Sequence, residues 1–311
     1  MKLKKLFSYI LLATTIVFIS CTEDGINGTN GTNGIDGENG IDGTNGENGK
    51  DVSYFSTIAK ISLRDGVPEI SAYDPTTKTI FSTNSEAKEV DVINISDLEN
   101  PVIKTAINIT TFGGNVNSVA SKNGFLAIAV EAVEPTNIGK VVIFKTDNLS
   151  TPYAEITAGA LPDMVTFTPD AKYILAANEG EPNDDYTIDP KGSLTLIEVE
   201  TKTATQINFD DFNAQEAALE ANGFRVFGPG ADLSTDVEPE YITVSSDSQT
   251  AFIALQENNG IAKLDIASKT ITDIYPLGSK DYNDYAFDLS DKDDIIGNLN
   301  YWNVKSFYQP D

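Results

Sequence analysis

The side chains best placed to do chemistry in this chain are carboxylates gathered in one loop. Residues 178–186 read Asn-Glu-Gly-Glu-Pro-Asn-Asp-Asp-Tyr, and the loop closes on Asp189-Pro190-Lys191-Gly192-Ser193. Clustered carboxylates on a Gly-Pro framework suit calcium, which takes about six to eight oxygen ligands. Glu179, Glu181, Asp184, Asp185 and Asp189 are therefore candidate metal ligands, against the plainer reading that a strongly acidic protein makes acidic loops. A second acidic stretch, residues 287–294, has the density of a calcium loop without the glycine and terminal glutamate of an EF-hand, and reads as a solvated turn. Histidine is absent. That removes Ser-His-Asp and Cys-His nucleophiles and His-ligated zinc, and leaves carboxylate, lysine or tyrosine acid–base chemistry or a hard metal on oxygen.

The charge balance narrows the partners. Of 311 residues, 21 are Lys or Arg and 47 are Asp or Glu, a net charge of -26. A surface this negative repels phosphate backbones, so no nucleic-acid partner is expected, and it attracts cations instead.

The single cysteine, Cys21, stands where a short apolar stretch meets a polar one. Met1-Lys2-Leu3-Lys4-Lys5 is a basic opening, residues 6–20 are too short and apolar a core to span a bilayer comfortably, and Ser20 puts a small residue before the thiol. Residues 1–20 resemble a bacterial lipoprotein signal peptide, which implies cleavage before Cys21 and its lipidation; an ordinary secretory leader is the alternative. Thr22-Glu23-Asp24 is similar to the surface-export signal of Bacteroidetes lipoproteins. The expected location is thus the outer membrane at the cell surface, held by acyl chains that each bury about 0.8 kcal/mol per methylene. Loss of the leader's three lysines would leave 18 basic against 47 acidic residues, a charge of -29.

From Gly25 to Gly49 glycine recurs at every third position. The period is collagen's, but the intervening pairs are mostly Thr-Asn, Ile-Asp and Glu-Asn, with no proline, so residues 21–52 read as a hydrated Gly-x-y spacer rather than a trimerising stalk.

Residues 53–311 carry the elements that must position the acidic loop. Short strand-like runs recur with shared punctuation. One unit opens with Pro68-Glu69-Ile70 and continues through a turn at Lys78, a strand over 79–83 and another over 90–95. The second unit, without the proline, follows with a turn at Gly124. The third opens with Pro162-Asp163-Met164 and turns at Lys172, with strands over 173–177 and 193–198; the fourth opens with Pro239-Glu240-Tyr241 and turns at Gln249. The turns are 46, 48 and 77 residues apart. Units of roughly 40–50 residues with several strands each are the signature of propeller blades, and a β-sandwich with coincidental spacing is the alternative. The fold class is therefore all-β: a partial β-propeller of about four blades. The long step holds a helical insertion, 207–236, in which residues 210–223 read as one short helix with Asp or Asn at its start and Gly223 at its end. Phe307 to Asp311 repeats the Pro-acid step, so the chain is expected to be a fragment or an early-terminated form of a longer propeller.

Glu69, Asp163, Glu240 and Asp311 recur at equivalent unit openings. If those strands are innermost, the four acids ring one channel mouth and hold a cation or polar ligand; the alternative is a turn hydrogen bond beside each proline. Tyr301, Trp302 and Tyr308 offer either blade packing or a sugar-stacking platform.

The blocks Asn178-Glu179-Gly180-Glu181-Pro182, Phe212-Asn213-Ala214-Gln215, Phe227-Gly228-Pro229-Gly230-Ala231, residues 236–242, Leu255-Gln256-Glu257-Asn258-Asn259 and residues 306–311 together resemble the choice-of-anchor I family. The resemblance covers residues 55–311 and implies an extracellular β-propeller in a longer domain, some members being described as alkaline-phosphatase-like. Two functions follow as expectations. One is a non-catalytic surface lipoprotein whose propeller binds an extracellular protein or glycan, with calcium bracing its loops. The other is a metal-dependent phosphoesterase of the envelope, with Glu179, Glu181, Asp184 and Asp185 as ligands, which the lack of histidine and of an activated nucleophile weakens.

Overall fold

The computed structural model describes residues 56–63, 66, 68–289, 292 and 295–310. Cys21, the leader, the spacer, Asp291, Asp293, Asp294 and Asp311 lie outside the described residues.

Four antiparallel sheets follow one another along the chain. The first comprises β1 (Ser71–Asp74), β2 (Thr79–Asn84), β3 (Glu89–Asn94) and a fourth position shared by β4 (Val102–Ile103) and β5 (Ile107–Asn108). The second is β6 (Asn115–Lys122), β7 (Phe125–Glu131), β8 (Ile138–Lys145) and β9 (Ala154–Ala160). β10 (Pro162–Phe167), β11 (Tyr173–Asn178), β12 (Ser193–Glu198) and β13 (Thr203–Ile207) form the third, and β14 (Pro239–Val244), β15 (Thr250–Leu255), β16 (Gly260–Asp265) and β17 (Thr270–Pro276) the fourth. A small pair, β18 (Lys280–Asp281) and β19 (Lys305–Ser306), follows. Within each large sheet the strands pair in chain order, and neighbouring sheets meet through their first strands, β1 with β6, β6 with β10 and β10 with β14. This is the all-β, propeller-like arrangement expected from the repeat.

Burial explains why β7 and β11, the second strands of the two middle sheets, are largely apolar. Successive side chains of a strand point to opposite faces, and here both faces are covered. In β7, Leu126, Ile128 and Val130 pack toward the first sheet with Phe81 and Val90, while Ala127 and Ala129 pack toward the third with Val165 and Ile174. In β11, Ile174 and Ala176 join that second layer, and Leu175 and Ala177 face the fourth sheet with Ile253 and Leu255. Each buried Val, Leu, Ile or Phe contributes about 1.5–3 kcal/mol, and the alanines less.

In β3, Val90, Asp91 and Val92 are all buried, and Asp91 accepts a hydrogen bond from Asn84 Nδ2 at 3.1 Å. One expectation changes. The insertion holds two helices rather than one. Residues Asp210–Gln215 form a 3-10 turn that no side chain caps, running into α1 (Glu216–Glu220), with Gly223 at φ +94 behind it. Asp210 is drawn instead to Lys191. The second, α2 (Leu233–Asp236), lies where the sequence reads as return loop, and Asp232 caps it by accepting from Thr235 N. The unit turns do enter the left-handed region, at Lys78, Asn123 with Gly124, Ala171 and Ser248; in the third and fourth sheets this is one residue before Lys172 and Gln249.

Candidate functional site

The acids converge because of antiparallel pairing. The start of a first strand lies beside the end of the second, as in Pro162 opposite Asn178 and Pro239 opposite Leu255. At the same place β6, β10 and β14 each carry a bulge, between Val116 and Ser118, Pro162 and Met164, and Pro239 and Ile242. A bulge leaves an extra residue out of register and re-aims it. The residues so displaced are Asn117, Asp163 and Glu240 with Tyr241. Asn117 is the second sheet's counterpart of the opening acids, which the missing proline concealed. Its amide reaches both Glu131 at 3.4 Å and the Pro162 carbonyl at 3.2 Å.

These groups form one acidic mouth. Burial pushes Glu179 up to about 8, and the charges of Asp163, Glu181, Glu238 and Glu240 add to the rise. Glu238 is likewise pushed to about 8 by burial, then by Glu257, Asp236, Glu181 and Asp189. Glu131 is raised by burial and Glu181, against the Asn117 hydrogen bond and Lys88. Low dielectric and like charges both disfavour the ionised form. Glu69 stands in the corresponding place before β1 and is exposed.

The acidic loop is built around Asn178 and two glycines. Fully buried Asn178 donates through Nδ2 to Ser193 O and Oγ, each at 3.2 Å, and to Thr195 Oγ1 at 2.9 Å, tying the two legs of the loop. Gly180 (φ +72) faces the backbone of residues 190–192, and Gly192 lies against the Val237 carbonyl. A Cβ at Gly192 would be driven into that oxygen. Gly192→Ala is therefore expected to destabilise the protein by roughly 1–3 kcal/mol, read as a lower urea midpoint, whereas an unchanged midpoint would mean that the α2–β14 connection yields freely.

The five candidate ligands lie in different surroundings. Glu179 and Asp189 are partly buried and Glu181 is exposed. Asp185 accepts from Thr187 Oγ1 at 2.6 Å and from Thr187 N, bonds that hold its carboxyl below the usual range. Asp184 lines a cavity of about 300 Å³ together with Glu181, Pro182, Asn183, Tyr186, Phe227, Glu238 and Glu257. Among the described residues no group of three or more acids lies close enough together to hold a metal ion. In the second acidic stretch Asp288 accepts from the backbone of Gly297 and Asn298. Trp302 is half-buried and donates to the Phe287 carbonyl at 2.8 Å, while Tyr301 and Tyr308 are exposed.

A buried amide pair fixes the cavity's other wall. Asn258 donates to Arg225 O at 3.1 Å and to Asp236 O and Oδ2 at 3.0 Å, and accepts from Glu238 N at 2.9 Å. The Asp236 carboxylate in turn receives the Phe227 and Gly228 amides. Asn259 bridges Gly223 O and Gly278 O and takes the Tyr308 and Gln309 amides on Oδ1. Arg225 lies 3.8 Å from Glu257 and 4.8 Å from the centre of the Phe227 ring.

Residues 69–311 match the profile of the choice-of-anchor I domain. No curated protein matches the chain. Among solved structures it is similar to a provisional 6-phosphogluconolactonase from Bacteroides uniformis, at 16% identity and a TM-score of 0.46, over 68% of this chain and 55% of that one. It is also similar to the hydrazine synthase of Kuenenia stuttgartiensis, at 12% identity and a TM-score of 0.40, over 68% of this chain and 76% of that one. The chain thus spans little more than half the length of the first of these.

Proposed function

Because this chain belongs to the choice-of-anchor I family, we propose that it is a surface-held lipoprotein whose propeller-like domain binds an extracellular ligand at the acidic mouth without transforming it. The observation that carries the reading is the convergence of Glu131, Asp163, Glu179, Glu181, Glu238 and Glu240 at one end of the sheets, beside a cavity of about 300 Å³. Concave sites with a few fixed polar groups are the usual form of binding sites. The mouth is held by fully buried asparagines rather than by mobile side chains, which suits recognition. Anchoring rests on Cys21 and the leader before it, and the Gly-x-y spacer of residues 21–52 gives the domain reach from the membrane.

Fractionation of cells tests the anchor. The native chain is expected in the membrane fraction and open to protease added to intact cells. Cys21→Ala is expected in the soluble fraction, because a chain without acyl groups loses the methylene burial that retains it. A Cys21→Ala protein that stays with the membrane as firmly as the native one would end the lipoprotein reading.

A further inference from the structure

We propose that the cavity at the acidic mouth takes an alkylammonium group, from a free polyamine or from a lysine side chain of a partner protein, seated between Glu238, Glu181 and the ring of Tyr186. This deepens, and rests on, the reading of the mouth as a binding site. The first support is the lining, where four acids, Glu181, Asp184, Glu238 and Glu257, share the space with Tyr186 and Phe227. The second is independent of the number of acids. Glu238 is only 7% exposed, its main-chain N–H is held by Asn258, and its carboxylate has neither a hydrogen-bond donor nor a cation beside it among the described residues. The groups whose charges reach it are acids, Glu257, Asp236, Glu181 and Asp189. That carboxylate opens on the cavity, where an ammonium supplies three donors and the opposite charge.

The aromatic lining separates this ligand from a metal. Calcium needs an oxygen shell, to which a ring face contributes nothing, whereas an ammonium is attracted to that face. Arg225 already occupies the neighbourhood of the Phe227 ring, but no cation or ring stacks on Tyr186 among the described residues. Burial, with the charges of Glu257, Asp236, Glu181 and Asp189, pushes Glu238 up to about 8. A cation seated beside it favours the ionised form, so binding near pH 7 transfers its proton to the buffer.

The test is titration calorimetry on the full-length chain in detergent at pH 7, with spermidine, the peptide Gly-Lys-Gly and calcium chloride as separate titrants. One organic cation is expected to bind per chain, with a heat that depends on the buffer as proton release requires. Glu238→Gln should weaken it by about tenfold or more and Tyr186→Leu by roughly threefold to tenfold, while the exposed control Glu220→Gln leaves it unchanged. Tighter spermidine identifies a free polyamine, and tighter peptide identifies a partner's lysine. Circular dichroism verifies each variant's fold, and Tyr186→Leu, on an exposed loop residue, carries the test if Glu238→Gln does not fold. Absence of binding by both organic cations, an equal loss in Glu220→Gln, or uptake of calcium alone overturns the assignment and leaves a binding module for some other ligand. Release of nitrophenolate from p-nitrophenyl phosphate by the native chain overturns the binding-module reading itself and this inference with it.

Discussion

Replacing Asn258 by leucine lowers the protein's stability by about 4 kcal/mol, because four hydrogen bonds are lost at one fully buried amide while their partners stay buried. Leucine has nearly the same shape, so the loss is polar rather than a cavity. It strands the Glu238 N–H and the Arg225 and Asp236 carbonyls, each costing about 1–3 kcal/mol when left unpaired. For a domain of this size that corresponds to a fall of roughly 8–16 °C in Tm. Asn258→Asp should be no better, since it sets a second carboxylate beside Asp236. The same change frees the backbone at Glu238 and so loosens the cavity wall, and ligand binding should fall with stability. A calorimetric Tm within about 2 °C of the native value would show that Asn258 is not the tie between the α2–β14 connection and the end of β15.

Raising pH from 5 to 9 is expected to destabilise the protein through Glu179 and Glu238. Both hold protons in the folded state to about 8, well above the ordinary glutamate value of 4.5 to which they return on unfolding. Between those values the folded chain binds more protons than the unfolded one, so stability decreases with pH. The contribution is fully present below about pH 4.5, declines as pH passes through about 8, and is flat above. Glu238 faces the acids Glu257, Asp236, Glu181 and Asp189, and Glu179 faces Asp163, Glu181, Glu238 and Glu240; Arg225 lies 3.8 Å from Glu257. Each added ionisation at high pH therefore meets like charge. The double variant Glu179→Gln, Glu238→Gln keeps the neutral shape and is expected to flatten the profile and to exceed the native protein by about 3 kcal/mol at pH 9. Urea unfolding at pH 5, 7 and 9 measures this. A native protein whose midpoint rises over that range would show that the two carboxyls ionise freely in the fold.

Much of this architecture is legible in the residues. The runs 173–177 and 193–198 become β11 and β12 within one residue, because both local signals agree: β-branched and apolar side chains between turn residues, and turns that need the left-handed region. The helical insertion was readable in place and only partly in form. Asp210 looks like a cap, yet Lys191 from the distant loop competes for its carboxylate, while α2 is four residues long and too short for any periodicity to show.

The site divides along the same line. That acids stand at strand openings and in the loop after β11 is fixed by the sequence, as are the family blocks and the absence of histidine. That Glu238 is buried, that Asn117 takes the place of an opening acid, and that Asp185 is spent on its own turn are decided by tertiary structure. The physical reason is range. Strand and turn preferences act over a few neighbours and survive translation into a linear pattern, whereas desolvation and like-charge repulsion sum over residues as far apart as Asp163 and Glu240, which only the pairing of strand ends, the three bulges and the packing of first strands bring to one place.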